Sequence, residues 1–226
     1  MYFEVKKKLN KELNYKPMIF LSEELIFPDV SKANHEGMLA VGGDLSPERL
    51  LLAYKSGIFP WFNEDSLILW WSPDPRMVLF PHKINISKSM RKVIKDRQFT
   101  LTKNVDFKTV LEYCSMVDRK DQDGTWITEK MKEAYLKLHE KGIAHSYEVW
   151  EKDTLVGGLY GIDLGHVFCG ESMFSLVSNA SKFAFISLAK ELAIKNYTLI
   201  DCQVYTEHLE SLGAEEIARE DFVKLL

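Results

Sequence analysis

The chain has little cysteine. Its 226 residues include only Cys114, Cys169 and Cys202, far apart and without a CxxC pair. That excludes a disulfide framework and a cysteine-built metal site, and it fits reduced thiols in a cytoplasmic protein. No uninterrupted apolar run reaches membrane-spanning length, so no membrane is expected as a partner. Residues Met1 to Lys16 are charged and lack the apolar centre of a signal peptide. His82, His139, His145, His166 and His208 fall at no metal-ligand spacing, so no metal is expected. GxSxG, P-loop and GxGxxG motifs are missing, as are internal repeats and low-complexity tracts. The net charge of −4 does not mark a nucleic-acid binder by composition.

What is present is a chain that is 46% hydrophobic, enough for one large domain or one domain with a smaller companion. Residues 22–80 are rich in turns and aromatics, notably Phe59-Pro60-Trp61-Phe62 and Trp70-Trp71-Ser72-Pro73-Asp74-Pro75. Between them Ser46 caps a helix that Pro47 opens and Gly57 stops. Pro73 and Pro75 stiffen a junction. From Met77 strands and helices alternate. Strands are expected at 77–80 and 99–102, helices at 105–116 and 128–141. A meander of three strands follows, at 144–150, 155–160 and 166–174. Asn179 is expected to cap a helix reaching about Lys195, followed by a strand at 199–204 and a short helix at 206–212. This is a mixed α/β (α+β) pattern.

Two acidic positions stand out. Glu171 ends an apolar run beside Gly170, and Leu199-Ile200-Asp201-Cys202-Gln203 places a carboxylate and an amide at i and i+2. In a strand those two point to one face. Neighbouring strands would aim Glu171, Asp201 and Gln203 into one cleft beside Phe168 and Met173. A buried acid needs a partner. A salt bridge and the binding of an amine weigh equally at this point. In Ser87–Arg97, Lys88, Arg91, Lys92 and Lys95 share one helical face, opposite Met90, Val93 and Ile94. An ordinary amphipathic helix is the simpler reading, with phosphate contact as the alternative. Trp61 and Trp126 sit beside turn residues. Core packing is the simpler reading there too, and base stacking the alternative. Gly157, Gly158 and Gly161 suggest close backbone approach within a strand.

Nine segments together resemble the leucyl/phenylalanyl-tRNA–protein transferase family of bacteria. They are GGDLSPERLLLAYKSGIFPWF (42–62), LWWSPDPR (69–76), TWIT (125–128), AYLKLHEKGIAHSYEVW (134–150), LVGGLYG (155–161), FCGESMFS (168–175), NASK (179–182), LIDCQ (199–203) and HLESLGAEEI (208–217). The resemblance implies a small N-terminal domain, 1–76, followed by a GNAT-like acyltransferase domain, 77–226. It implies transfer of Leu or Phe, less readily Met, from aminoacyl-tRNA to proteins with N-terminal Lys or Arg, marking them for degradation through the N-degron pathway. It requires no metal and no coenzyme A, hence no cofactor. The partners are the charged tRNA and the acceptor protein, and a monomer is expected.

Residue by residue, the resemblance assigns Trp61 and Trp126 to the 3′-terminal adenosine, and Glu171, Asp201 and Gln203 to catalysis and acceptor positioning. Phe168, Met173, Ile200, Leu159 and Leu188 form the aminoacyl pocket, and Lys88, Arg91, Lys92 and Lys95 meet the acceptor stem. Phe185 stands where a smaller aliphatic residue is expected, which would tilt the pocket from Phe toward Leu or Met. Tyr147 likewise replaces an aliphatic residue.

The ester of the donor is already activated, so the protein must orient a neutral amine and move one proton. On this reading Asp201 bonds the Gln203 amide and fixes its rotamer, leaving the amide oxygen to accept from the amine. Three competitors stand against it. A coenzyme A-dependent acetyltransferase would need a glycine-rich loop where Ser178-Asn179-Ala180-Ser181-Lys182 stands. A peptidoglycan cross-bridge transferase does not match the motifs. A tRNA-end-binding module without chemistry would not need Glu171, Asp201 and Gln203 intact.

Overall fold

The computed structural model describes residues 18–117 and 127–226. Its N-terminal part is a four-stranded sheet ordered β1-β2-β4-β3, built from Phe20–Leu21, Met38–Gly42, Phe59–Pro60 and Leu69–Trp71. Helix α1, Pro47–Lys55, lies between β2 and β3. Ser46 Oγ accepts from Arg49 N at 3.3 Å, Pro47 occupies the first turn, and Gly57 follows the helix at φ +74°. The cap, the proline and the stop all fall where the sequence placed them. None of the four strands was legible, because each is two to five residues long and broken by turns.

The second sheet has seven strands in the order β11-β5-β10-β9-β8-β7-β6. They are β5 (Arg76–Leu79), β6 (Thr100–Lys103), β7 (Ala144–Glu151), β8 (Thr154–Asp163), β9 (Val167–Ser175), β10 (Leu199–Gln203) and β11 (Glu215–Ile217). All neighbours are antiparallel except β9 and β10. A parallel pair needs a crossover, and helix α5, Ala180–Ile194, supplies it. The other helices are α2 (Lys88–Lys95), α3 (Phe107–Ser115), α4 (Glu129–Glu140), α6 (Glu207–Ser211) and α7 (Arg219–Val223). The expected meander, crossover helix and final buried strand are therefore present; β11 and α7 are additions. The cap of α5 differs from expectation. Asn179 adopts φ +75° and makes no side-chain cap bond; Ser175 Oγ instead accepts from Ser181 N at 3.2 Å. Asn tolerates that left-handed geometry better than most residues.

Alternation along the strands splits the core in two. Val78, Tyr160, Ile162, Val167, Cys169 and Leu199 join α1, α3, α4 and the small sheet in one cluster. Met77, Leu79, Tyr147, Leu159, Phe168 and Ile200 join α2 and α5 in the other. Close packing forces glycine at Gly161, where a Cβ would lie 2.3 Å from the Cys169 carbonyl and 2.5 Å from the Phe168 ring. The close-approach reading of that glycine holds.

Candidate active site

β9 and β10 pair only from Leu199↔Val167 to Asp201↔Cys169 and then part. Each is distorted at the parting. On β9, Tyr160 opposes Ser172 and Gly161 opposes Gly170, so Glu171 is an extra residue without a partner on β8. On β10, Asp201 opposes Val78 and Gln203 opposes Met77, so Cys202 is the extra residue. Such bulges re-aim side chains and end pairing. Gln203 then takes φ +66°, costly for a residue with a Cβ and frequent where geometry serves a site.

The gap opens into a cavity of about 480 Å³, within the range of small-molecule sites. Leu159, Met173, Phe185, Leu188, Ile200 and Leu209 make its apolar part. Glu171, Asp201, Gln203 and Trp61 line it as well, with Phe59 beside Trp61 on the small sheet. Trp61 is held by its backbone: its carbonyl accepts from Trp71 Nε1 at 2.7 Å, and the two rings lie 5.7 Å apart.

The two carboxylates meet different surroundings. Arg76 Nε donates to Asp201 Oδ1 at 2.8 Å and Nη2 to Oδ2 at 2.7 Å, with both side chains 1% exposed. The guanidinium sits between the Phe59 and Phe222 rings, 4.7 and 4.6 Å from their centroids. Planar charge on aromatic faces is well suited to Arg. Asp201 Oδ1 also accepts from the backbone N of Gln203 at 2.9 Å. Glu171 is 9% exposed and accepts from Tyr135 Oη at 2.6 Å and from Gln203 Nε2 at 2.9 Å. Tyr54 Oη lies 2.6 Å from Tyr135 Oη. Burial pushes the Glu171 carboxyl up to about 7, against the opposing pull of Tyr135, Tyr54 and Gln203. Burial, and then the charge of Glu171, push both phenols well up. They stay protonated, so Tyr135 donates to Glu171 and Tyr54 to Tyr135.

This corrects the expected link between Asp201 and the Gln203 amide. Asp201 holds the Gln203 backbone, and Glu171 fixes the amide. The reason is competition: a guanidinium fork in bidentate contact takes both oxygens of Asp201.

The sequence assignments fare unevenly. Glu171, Asp201, Gln203, Met173, Ile200, Leu159, Leu188, Phe185 and Trp61 all reach the cavity. Phe168 does not. It is fully buried on the α5 side, edge-on to Tyr147 at 6.2 Å and filling the space beside Gly161. Trp126 lies outside the described residues. Lys88, Arg91, Lys92 and Lys95 are all exposed on α2, whose Met90 packs into the α5 side of the core, and none lines the cavity. Arg76, Tyr54 and Tyr135 were missed. Arg76 carried a readable signal, a lone cation opening the apolar strand RMVLF. The tyrosines carried none, since Tyr54 and Tyr135 read as buried-face positions of amphipathic helices.

The chemistry available is restricted. Cys202 lines the cavity, yet burial and then the Asp201 charge push its thiol up, so it is no thiolate. Burial and then Lys182 lower the His208 pKa, leaving a neutral ring on the wall. Among the described residues no group of three or more His, Cys, Asp or Glu could hold a metal ion. No helix there is long and apolar enough to cross a membrane. An apolar pocket that ends at a buried carboxylate and a fixed amide can orient an apolar substrate and exchange a proton with it, the means of a group-transfer site without a metal or covalent nucleophile. Residues 78–226 match the family model of leucyl/phenylalanyl-tRNA protein transferase, and residues 43–74 match the model of its N-terminal domain. A transferase of that name from Flavobacterium johnsoniae is 63% identical over 209 residues, 92% of this chain and 99% of the relative. One from Christiangramia forsetii is 59% identical over 211 residues, 92% of this chain and all of the relative. A GCN5-related N-acetyltransferase from Kribbella flavida aligns at TM-score 0.38 and 11% identity, over 74% of this chain and 60% of that one. That likeness is too remote to carry the fold, which rests on the strands and helices themselves. The chain belongs to the leucyl/phenylalanyl-tRNA–protein transferase family and is an aminoacyltransferase.

Proposed function

We propose that the chain transfers Leu or Phe, less readily Met, from aminoacyl-tRNA to the N-terminal Lys or Arg of acceptor proteins, marking them for degradation. One observation carries the reading: a single cavity joins an apolar end to a buried carboxylate and amide. The apolar end takes the aminoacyl side chain. Trp61, with Trp126, stacks the 3′-terminal adenosine, and the exposed cations of α2 meet acceptor-stem phosphates. Gln203 orients the amine: its NH2 is committed to Glu171, which leaves the carbonyl oxygen to accept from the attacking group. Asp201 acts through Arg76 and the Gln203 backbone as a positioning residue. The reading includes a GNAT-like domain over 77–226 behind a smaller one over 1–76, acting as a cytoplasmic monomer.

The test is transfer of labelled Leu or Phe from charged tRNA to a peptide beginning with Lys or Arg, with acetyl-coenzyme A as donor in parallel. Label arriving from tRNA alone is the expected result. Label from acetyl-coenzyme A alone, or no transfer to either peptide, overturns it.

A further inference from the structure

Glu171 differs from the other buried charges of the site. Among the described residues it has no cationic partner, whereas Asp201 has Arg76. Its carboxylate is placed by the bulge rather than by sheet pairing. Oε2 accepts from Tyr135 and Oε1 from Gln203, with Tyr54 as a further donor in reach, so the four acceptor positions of the carboxylate are not all used. Tyr54 comes from α1, beside the small sheet, and Tyr135 from α4. A chain of hydrogen bonds thus runs from the N-terminal part of the molecule to the Gln203 amide.

We propose that Glu171 is the proton acceptor of the transfer step, and that Tyr135, held by Tyr54, is the positioning residue that sets the pH at which it accepts. This rests on the acyl-transfer reading above. The neutral amine attacks the ester carbonyl carbon and forms the C–N bond. Glu171 takes one amine proton. The bond from carbon to the 3′-oxygen breaks, and Glu171 returns that proton to the leaving oxygen. The carboxylate is regenerated, and no outside reductant, oxidant or metal enters the balance. An amide is too weak a base for this step, and the Cys202 thiol and the phenols of Tyr54 and Tyr135 are protonated.

The groups facing Glu171 come from every packed element. Tyr135 on α4 and Tyr54 on α1 stabilise its charge, as does Gln203 on β10, while Asp201 on the same strand opposes it. Cys169 on β9 stands close enough for the Glu171 charge to act on it, and Tyr160 on β8 lies edge-on to Tyr135 at 5.3 Å. Arg76 on β5 is spent on Asp201. A carboxyl near 7 is suited to accept a proton at cellular pH and give it back in the same cycle. Removing a donor to the carboxylate disfavours its charged form, so loss of Tyr135 moves the acceptor to higher pH.

The experiment is single-turnover transfer from charged tRNA to a Lys-initiated peptide between about pH 5.5 and 9, in wild type, Glu171→Gln, Tyr135→Phe and Tyr54→Phe. The titration of the acceptor amine is common to all four. Glu171→Gln is expected to lower the plateau rate about 10²–10⁴-fold and to abolish the enzyme's own acid limb, with aminoacyl-tRNA binding little changed. Tyr135→Phe moves that limb to higher pH, and Tyr54→Phe moves it less, in the same direction. If Glu171→Gln keeps the limb, the proton goes elsewhere, with His208 the other titratable acceptor on the wall, and the proposal fails. If Tyr135→Phe slows transfer equally at every pH, its role is packing and the positioning half fails. An inactive wild type overturns the acyl-transfer reading itself, whereas an active wild type with an equally active Glu171→Gln overturns only this inference.

Discussion

The Asp201 wall and the Glu171 wall of the cavity hold the same functional group to opposite ends. Asp201 is closed: a bidentate Arg76 and a backbone N–H donate to it, its side chain is 1% exposed, and two aromatic rings close over the guanidinium. Glu171 is open: neutral donors hold it, burial costs it charge, and the carboxylate keeps acceptor capacity. A carboxylate with an ionic partner keeps its charge, and one buried without a cation holds its proton to higher pH. The difference arises in the strands: β5, paired beside β10, brings Arg76 to Asp201, while the bulge turns Glu171 toward two tyrosines.

Breaking the closed wall should have the largest effect. Arg76→Ala leaves Asp201 buried without its partner, with an expected loss of about 3–5 kcal/mol in urea unfolding. A loss under 1 kcal/mol, on the order of an exposed pair, would show that water replaces the guanidinium. The open wall should respond with the opposite sign. The carboxyl of Glu171 is raised in the folded chain from 4.5 to about 7. The folded state therefore holds its proton longer than the unfolded one, and ionisation costs stability as pH rises through that window. Glu171→Gln should be more stable than wild type at pH 8, by up to about 3 kcal/mol. The gain should shrink as pH falls through 7 and vanish below the unfolded value. Calorimetry at both ends checks the sign, and a variant less stable at pH 8 than at pH 5, relative to wild type, would refute it.

Two smaller effects sharpen the contrast between the polar walls and the rest of the site. Phe185 lines the apolar end at 3% exposure. Phe185→Leu should enlarge it and move the preference from Leu toward Phe by about tenfold, the scale of one or two methylenes. Competition between Leu-tRNA and Phe-tRNA measures this, and an unchanged ratio removes Phe185 from specificity. On α2, replacing Lys88, Arg91, Lys92 and Lys95 singly by Gln should lower the salt dependence of tRNA binding, by about 0.7–0.9 in log–log slope for each phosphate no longer neutralised. An unchanged slope for all four would place the tRNA elsewhere.

Much of this site is legible in the sequence. Glu171, Asp201 and Gln203 declared themselves as polar residues in apolar strands, and the one-sided charge of α2 was visible from spacing. Phe168 misled because an aromatic next to the motif reads the same whether it faces the pocket or the core. Strand parity decides that, and the bulge at Glu171 changes the parity along β9. The partners of the acids were hidden for another reason. Arg76 lies 125 residues from Asp201, and Tyr135 lies 36 from Glu171.

The sequence by itself determined most of the helices, the cap of α1, the meander, the buried strand after α5 and the residue types of the site, because periodicity and capping are local. Tertiary structure alone decided which carboxylate is neutralised and which stays open. That choice depends on who stands opposite each acid once β9 and β10 part, and distance in the chain carries no record of it.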